Sequence, residues 1–569
     1  AGPPVFADAV TLALAKRQGT NAIHVVHDVL GRVEALRENG IIPPHVKVEV
    51  TRDYGETSNE KANELLLHML IAVVSVTLLI AFVLGWREAG VVAMAIPVTL
   101  ALTMFVFHFI GFTLNRITLF ALIFSIGILV DDPIVDVENI VRHFRLPQNK
   151  GRHLLAVTIE AVNEVRSPLI LATFAVMAAI LPMAFVRGLM GPYMRPIPIG
   201  ASAAMFFSMV VAFIVTPWTA YHVLARSAAD GVGGHGEQES KSTILYRKIA
   251  WYIVTDTRHR WVFIGTLVVL LLASVALVPL RAVKVKMLPF DNKSEFQVII
   301  NMPEGTSLER THEATRALAA RLATDLPEVR DLQLYVGTAG PYNFNGLVRH
   351  YFMRQSDWQA DIQVNLVGKG DRKRQSHDVA KAARELLEPI AQQYDIRMAV
   401  AEVPPGPPVL QTLVAEVFGP DYDKTIELAQ TIKAELAKTP GVVDVDIYTE
   451  GPRERQDYLL DSEKAGLHGI SAAEVADTLA IAADGLVTGL AHDPDAAEDV
   501  PIEVRLRDDQ AARLDDLGRL RLRAADGSMV ELSSLTTRLR GTVEPNIYRK
   551  NLQQAVFVTA DMAGEVESP

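Results

Sequence analysis

Six stretches of this chain, residues 65–84, 91–110, 117–141, 169–186, 197–221 and 261–280, are each long and apolar enough to be a membrane-crossing helix. A hydrocarbon slab roughly 30 Å thick needs about 20 such residues. Outside 65–280 the sequence reads as water-soluble, so a membrane bundle must be joined to soluble domains. An even number of crossings puts both flanks on one side. Lys and Arg collect after the third stretch (Arg142, Arg145, Lys150, Arg152, Arg166) and after the fifth (Arg226, Lys241, Arg247, Lys248, Arg258, Arg260), which assigns those connections to the cytoplasm. Residues 1–60 and 285–569 then lie outside, which in a bacterium means the periplasm. Trp86, Trp218, Trp251 and Trp261 fall at or near helix ends, as interfacial anchors do.

Composition closes off several other classes. A net charge of −11 argues against a nucleic-acid partner. With no cysteine there is no disulfide framework, thiol nucleophile or thiolate metal site. No GxxxxGK[ST] loop and no compact catalytic constellation occurs, so neither an enzyme nor a bound cofactor is expected. The first residue is Ala and no signal peptide precedes the soluble opening, from which a fragment is expected.

In the soluble parts the opening reads as strand 9–14, helix 21–39 and strand 46–51. After the last membrane stretch come a strand at 296–301, a helix capped by Thr306 with Glu309, a strand at 361–366 and a helix at 376–392. A second round follows, with strand 413–418, a helix carrying Ile426, Ala429, Ile432 and Leu436, and strand 442–448. These are repeated split βαβ, ferredoxin-like modules. Residues 452–550 are richer in charge and look inserted, with a helix at 472–483, an acidic hairpin tip at 492–499 and a strand at 502–506; residues 553–561 resume the earlier pattern.

The third apolar stretch contains GILVDDPIVDVEN (127–139), where acids interrupt a membrane span. Each ionised Asp near mid-bilayer costs about 2.5–3.5 kcal/mol on insertion scales, so Asp131 and Asp132 are functional candidates. Two adjacent carboxylates in low dielectric cannot both ionise cheaply, so the pair is expected to hold and exchange a proton. The alternative is that they cap a shorter helix or face a wet vestibule. Asp136 and Glu138 lie closer to the basic loop and read as interfacial acids near Arg142 and Arg145, with a proton exit path as the second reading for Asp136. Only Asp132 and Asp136 share an i, i+4 face; Asp131 points about 100° away. No Lys or Arg lies within the six stretches, so the acids' cation is supplied elsewhere or replaced by protonation.

These residues, together with TRDYGETSNEKANELL (51–66), KMLPFDNKSEFQVIINMPEGTSLERT (286–311) and PPGPPVL (404–410), make the chain resemble the resistance-nodulation-division superfamily of proton-driven efflux pumps, in its hydrophobic and amphiphilic drug-exporting branch. The resemblance covers essentially the whole chain. It implies a six-helix polytopic membrane domain joined to α+β periplasmic porter modules with an inserted docking domain. By it, residues 1–62 end a first porter region, 63–225 hold five transmembrane helices, 226–260 form a cytoplasmic loop with an amphipathic helix, and 261–284 the sixth helix, the family's seventh. Residues 285–400 are then a porter module, 401–451 the first part of the next, 452–550 the docking domain and 551–569 the return to the porter. It places the proton relay on Asp131 and Asp132, with a lysine partner on a later helix outside this chain. Pro133 and Asp136 depart from the family pattern, which has a small helix former and an apolar residue there.

The resemblance further implies a drug/proton antiporter of the bacterial inner membrane, a homotrimer working with a periplasmic adaptor and an outer-membrane channel. GTAGPYNFNGLVRHYF (337–352) falls where the family has a mobile loop between drug pockets, so Tyr342, Phe344, Tyr351 and Phe352 are candidate substrate contacts, with core packing as the alternative. His68 and His108 read as interfacial. The superfamily's heavy-metal branch resembles the chain less, since it usually carries one acid where Asp131 and Asp132 stand. Met302, Met353 and Met398 are scattered and read as gap fillers rather than metal ligands. A remnant that transports nothing is the alternative from another class.

Overall fold

The computed structural model describes residues 4–149, 151–188, 191–229, 241–280, 282–283, 292–403, 410–494, 496, 498–506 and 514–563. Residues 286–291, 404–409, 495 and 497, which belong to segments singled out above, lie outside them. The helices of the first half are α1 (Ala22–Glu38), α2 (Tyr54–Val83), α3 (Trp86–Ile110), α4 (Arg116–Leu129), α5 (Asp131–Arg145), α6 (Leu154–Ile180), a single turn α7 (Gly191–Met194), α8 (Pro196–Ala229), α9 (Lys241–Thr255) and α10 (Thr257–Ala276). Among the described residues six helical spans are long and apolar enough to cross a bilayer, one for each stretch read from the sequence. The bundle is built around α8, which packs against α3, α4, α5 and α6. Its approach to α3 is close because Gly200 has no side chain: a Cβ there would fall 2.7 Å from the ring of Phe107. Ile96, Leu122, Ile126, Leu129, Ile140 and Ala204 fill the shared core. By contrast, among the described residues α10 buries none of its own side chains.

The first soluble module runs β1 (Glu295–Asn301), α11 (Leu308–Asp325), β2 (Val329–Val336), α12 (Phe344–Val348), β3 (Gln359–Leu366), α13 (Ser376–Gln393) and β4 (Arg397–Ala401). Its antiparallel sheet has the order β2-β3-β1-β4, the ferredoxin-like arrangement expected from the sequence. Phe296, Val298, Ile300, Leu318, Leu322, Ile362, Val364 and Leu387 form its core. The cap of α11 is Ser307, not Thr306: Ser307 has extended backbone and its hydroxyl accepts from the Arg310 amide. Strand β2 turns Leu332, Leu334 and Val336 to this core and Asp331, Gln333 and Tyr335 away from it, and β4 turns in Met398 and Val400.

The second module contains β5 (Leu413–Phe418), α14 (Tyr422–Lys438) and β6 (Val442–Ile447). The chain then leaves through β7 (Glu454–Leu460), α15 (Ser462–Leu467), α16 (Ala472–Asp484), β8 (Leu486–Ala491), β9 (Val500–Val504), β10 (Arg521–Arg523), β11 (Met529–Glu531) and β12 (Thr536–Thr542). Pairing of β7 with β12 joins the two ends of this excursion, which has its own core of Ile470, Val475, Leu522, Leu532 and Leu535. Finally β13 (Arg549–Lys550) and β14 (Gln553–Met562) return, and β14 inserts antiparallel between β5 and β6.

The expected strands at 9–14 and 46–51 are not strands. Neither has a ladder partner among the described residues, and without one an alternating sequence remains merely extended. Both segments lie instead along the first module: Phe6 packs on its core beneath Arg316, Thr11 bonds Tyr335, and Thr51 accepts from Gln333 at 2.9 Å.

Candidate functional site

The third span was expected as one helix, but it breaks at Val130, directly before the acid pair. The cause is Pro133, which has no N–H to give the carbonyl four residues back, that of Leu129. The orphaned Leu129 carbonyl accepts instead from the Ser208 hydroxyl of α8. A carbonyl in apolar surroundings is thereby satisfied by a side chain from a neighbouring helix. Replacing Ser208 by Ala is expected to cost about 1–3 kcal/mol in this background, and much less once Pro133→Ala restores the local amide. A double-mutant cycle of thermal melting in detergent checks it; additivity within about 0.5 kcal/mol would show the two residues to be unconnected.

At the break the two acids part as helical geometry requires. Asp131 is exposed on the chain's surface, while Asp132 is half-buried and faces α6. There the Thr173 hydroxyl lies 3.4 Å from Asp132 Oδ1 and 2.9 Å from the Leu169 carbonyl. One hydroxyl proton serves only one of these acceptors; given to Leu169, it leaves a lone pair facing Asp132, suited to a protonated carboxyl. Neither Ser208 nor Thr173 was singled out in the sequence; isolated hydroxyls in apolar spans, one paired in depth with a proline-freed carbonyl, were the available signal.

Asp136 is a correction. It is not an interfacial acid beside Arg142 and Arg145 but is 0% exposed, covered by the packing of the bundle over this face of α5. Arg142 turns instead to Glu164 of α6 at 2.8 Å, and Glu138, midway along α5, is exposed. His68, midway along α2, and His108, in the last turn of α3, are also exposed.

The aromatic segment divides. Tyr342 is exposed and stacks on Phe352 with ring centroids 5.2 Å apart. Phe344 is half-buried beside Arg52, Tyr54 and Asn343 around a cavity of about 10 Å³, too small for an organic substrate. Tyr351 belongs to a small core with Ile299 and Ala401, as in the core-packing alternative. Met302 and Met398 pack in the first module's core and Met353 is exposed.

The soluble module is tied directly to the membrane bundle. Ahead of α2, Arg52 bonds Glu295 of β1 at 2.8 Å and Gln363 of β3 at 2.6 Å. Nearly three turns into α2, Glu64 accepts from Lys369 at 3.0 Å. The first module therefore grips the start of a spanning helix at two levels.

A family model described as the AcrB/AcrD/AcrF family matches residues 6–568. The swarming motility protein SwrC of Bacillus subtilis (strain 168) is 21% identical over 568 residues, covering 99% of this chain and 50% of SwrC. Two crystal forms of a heavy metal efflux pump match with TM-scores of 0.75 and 0.74 at 21% identity, each over 96% of this chain and 52% of the pump chain. The chain thus spans about half the length of these relatives.

Proposed function

The chain belongs to the AcrB/AcrD/AcrF family of resistance-nodulation-division permeases, and from that premise we propose that it works as the proton-coupled part of an exporter of hydrophobic or amphiphilic compounds. The carrying observation is the Asp131–Asp132 pair at a helix break inside an apolar span, with Asp132 turned to the hydroxyl of Thr173. Protonation neutralises the pair, the helices around α8 shift, and the grip of the first module on α2 passes that shift to the soluble domains. One proton crossing 100 mV supplies about 2.3 kcal/mol, enough for roughly a fiftyfold gradient. The membrane is the bacterial inner membrane, with the soluble modules in the periplasm, residues 452–550 as docking domain and Tyr342, Phe344 and Phe352 as the segment that meets substrate on opening. Homotrimer formation has support in the β8–β9 hairpin, whose Leu486, Val487, Leu490, Ile502 and Val504 are all exposed and suit a second copy of the chain. A periplasmic adaptor and outer-membrane channel complete the assembly.

A second reading, heavy-metal export, has one observation in its favour, the fold shared with a heavy metal efflux pump. Against it, the methionines are core or solitary, and among the described residues no group of three or more His, Asp or Glu side chains gathers. Everted vesicles holding the full-length protein separate the two: amphiphilic dyes are expected to release protons from a preset gradient, and copper, silver or zinc salts to release none. Release by a metal alone would transfer the assignment to the metal branch.

A further inference from the structure

Beyond the acid pair, α5 carries more polar groups along its buried face. Asp136 follows Asp132 by about 6 Å along the axis, and His143 follows Asp136 by about 10 Å. Asp136 is fully buried and, among the described residues, neither carboxyl oxygen has a hydrogen-bond partner. An ionised carboxylate so placed would be unsustainable, so the resting group is the neutral acid. Next on the same stripe, Asn139 anchors α5 to α6 by donating to the Ala161 carbonyl at 2.7 Å. His143 is buried, its Nε2 is 2.6 Å from Glu164 Oε2, and its Nδ1 has no partner among the described residues. With the Nε2 proton directed at that carboxylate, Nδ1 is left as a free acceptor inside the bundle. Thr216, eight residues beyond Ser208 on α8, is likewise buried with an unpartnered hydroxyl at about the depth of Asp136.

We infer that Asp136 and His143 are proton stations linking the acid pair to the basic-loop end of the bundle. The inference rests on the proton-coupled reading above. Asp136 gives up its O–H proton, which water carries to Nδ1 of His143; Asp136 is left a carboxylate and His143 an imidazolium held by Glu164. The proton of Asp132 then refills Asp136, leaving Asp132 ionised, and the imidazolium passes a proton through half-exposed Glu164 to solvent. Among the described residues the helices packed on α5 bring few competing charges. The groups bordering the stripe are Asp132, Arg142 and Glu164, while Asp131 and Glu138 are exposed on α5. On α6, Glu160 pairs with Arg152 and Arg166 is exposed. Arg87, Glu88 and His108 of α3 and Arg116 of α4 belong to the end turns of their helices, while Tyr221, half-buried, and His222, exposed, lie about two turns before the end of α8.

The test is substrate-driven proton flux in everted vesicles of the full-length protein, over pH values spanning the histidine range at the basic-loop face. Asp136→Val fills the site with an apolar group of similar size and should fold; flux is expected to fall about tenfold or more, and Asp136→Glu to restore it. His143→Gln should flatten the pH profile. Asp132→Asn separates the outcomes. Flux that survives Asp132→Asn overturns the proton-coupled reading itself. Flux lost there but unchanged in both Asp136→Val and His143→Gln overturns the stations alone, as does failure of Asp136→Glu to rescue, since that marks a packing role.

Discussion

The full-length protein carrying Asp132→Asn is expected to lose substrate-dependent proton flux to background while remaining folded in the membrane. Asparagine has the shape of a protonated aspartic acid and its amide N–H donates to the Thr173 oxygen as the acid's O–H would, so the contact with α6 and the helix break before it persist. What disappears is the exchangeable proton. A permanently neutral group cannot alternate between the two charge states whose different solvation costs drive the helices apart and together. Asp131→Asn should cut flux less if Asp131 keeps the exposed position it has on this chain, because its charge is then the cheaper of the two to sustain. Proton release from energised everted vesicles, followed with a pH-sensitive dye, gives the answer. Wild-type flux in both variants would remove the acid pair from the mechanism.

The features legible in the sequence were those that stand out against a uniform background. Apolar runs of bilayer length gave the spans, and two acids inside one of them gave the candidate site, because neither survives in such a place by chance. Period-two and helical patterns likewise recovered β1, β3, β5, β6, α13 and α14 to within a few residues. What stayed hidden depended on neighbours. Asp136 looked interfacial by its distance from Arg142, yet burial is decided by the helices lying over α5, which no local pattern records. The break at Val130 was foreshadowed by Pro133, but its tolerance comes from Ser208, 79 residues away along the chain. The opening strands failed for the complementary reason: their alternation was real, and the pairing partner that would make them strands is missing among the described residues.

The two soluble modules are joined by a seam of Arg–Asp pairs, and breaking its most buried member should have the largest effect on stability in the chain. Arg349, after α12, donates to Asp561 of β14 at 2.7 Å; Arg384 of α13 holds Asp444 of β6 through two bonds of 2.9 and 2.7 Å; Arg397 of β4 reaches Asp446 at 3.0 Å. Asp561 also accepts from the amide and hydroxyl of Thr412 at 3.2 and 2.9 Å. Asp561→Ala leaves the Arg349 guanidinium, only 4% exposed, without its counter-charge, a change expected to cost about 3–5 kcal/mol. Arg349→Met combined with Asp561→Leu should recover much of this, since most of the loss is the stranded charge rather than the pair's net worth. Acid should act on the same contact. Burial pushes the Asp561 carboxyl up, but the charge of Arg349 and the bonds from Arg349 and Thr412 prevail and hold it below the usual carboxylate range. A depressed folded value means its stabilisation is complete above about pH 4, the unfolded value, and is lost as pH falls through the folded one. Asp361 and Asp444 are pushed the other way by burial, so their contributions are present at low pH and fade as pH rises. Within this seam the acid-side weakening therefore belongs to Asp561; Glu328, held down by Arg374, and other paired carboxylates add to the limb of the whole protein, so Asp561→Asn should make it shallower without abolishing it. Thermal melting in detergent from neutral to strongly acid pH, with hydrogen exchange read on the β14 amides, measures both effects. A loss below about 1 kcal/mol in Asp561→Ala, or an unchanged acid limb in Asp561→Asn, would mean that apolar packing, not this ion pair, holds the modules together.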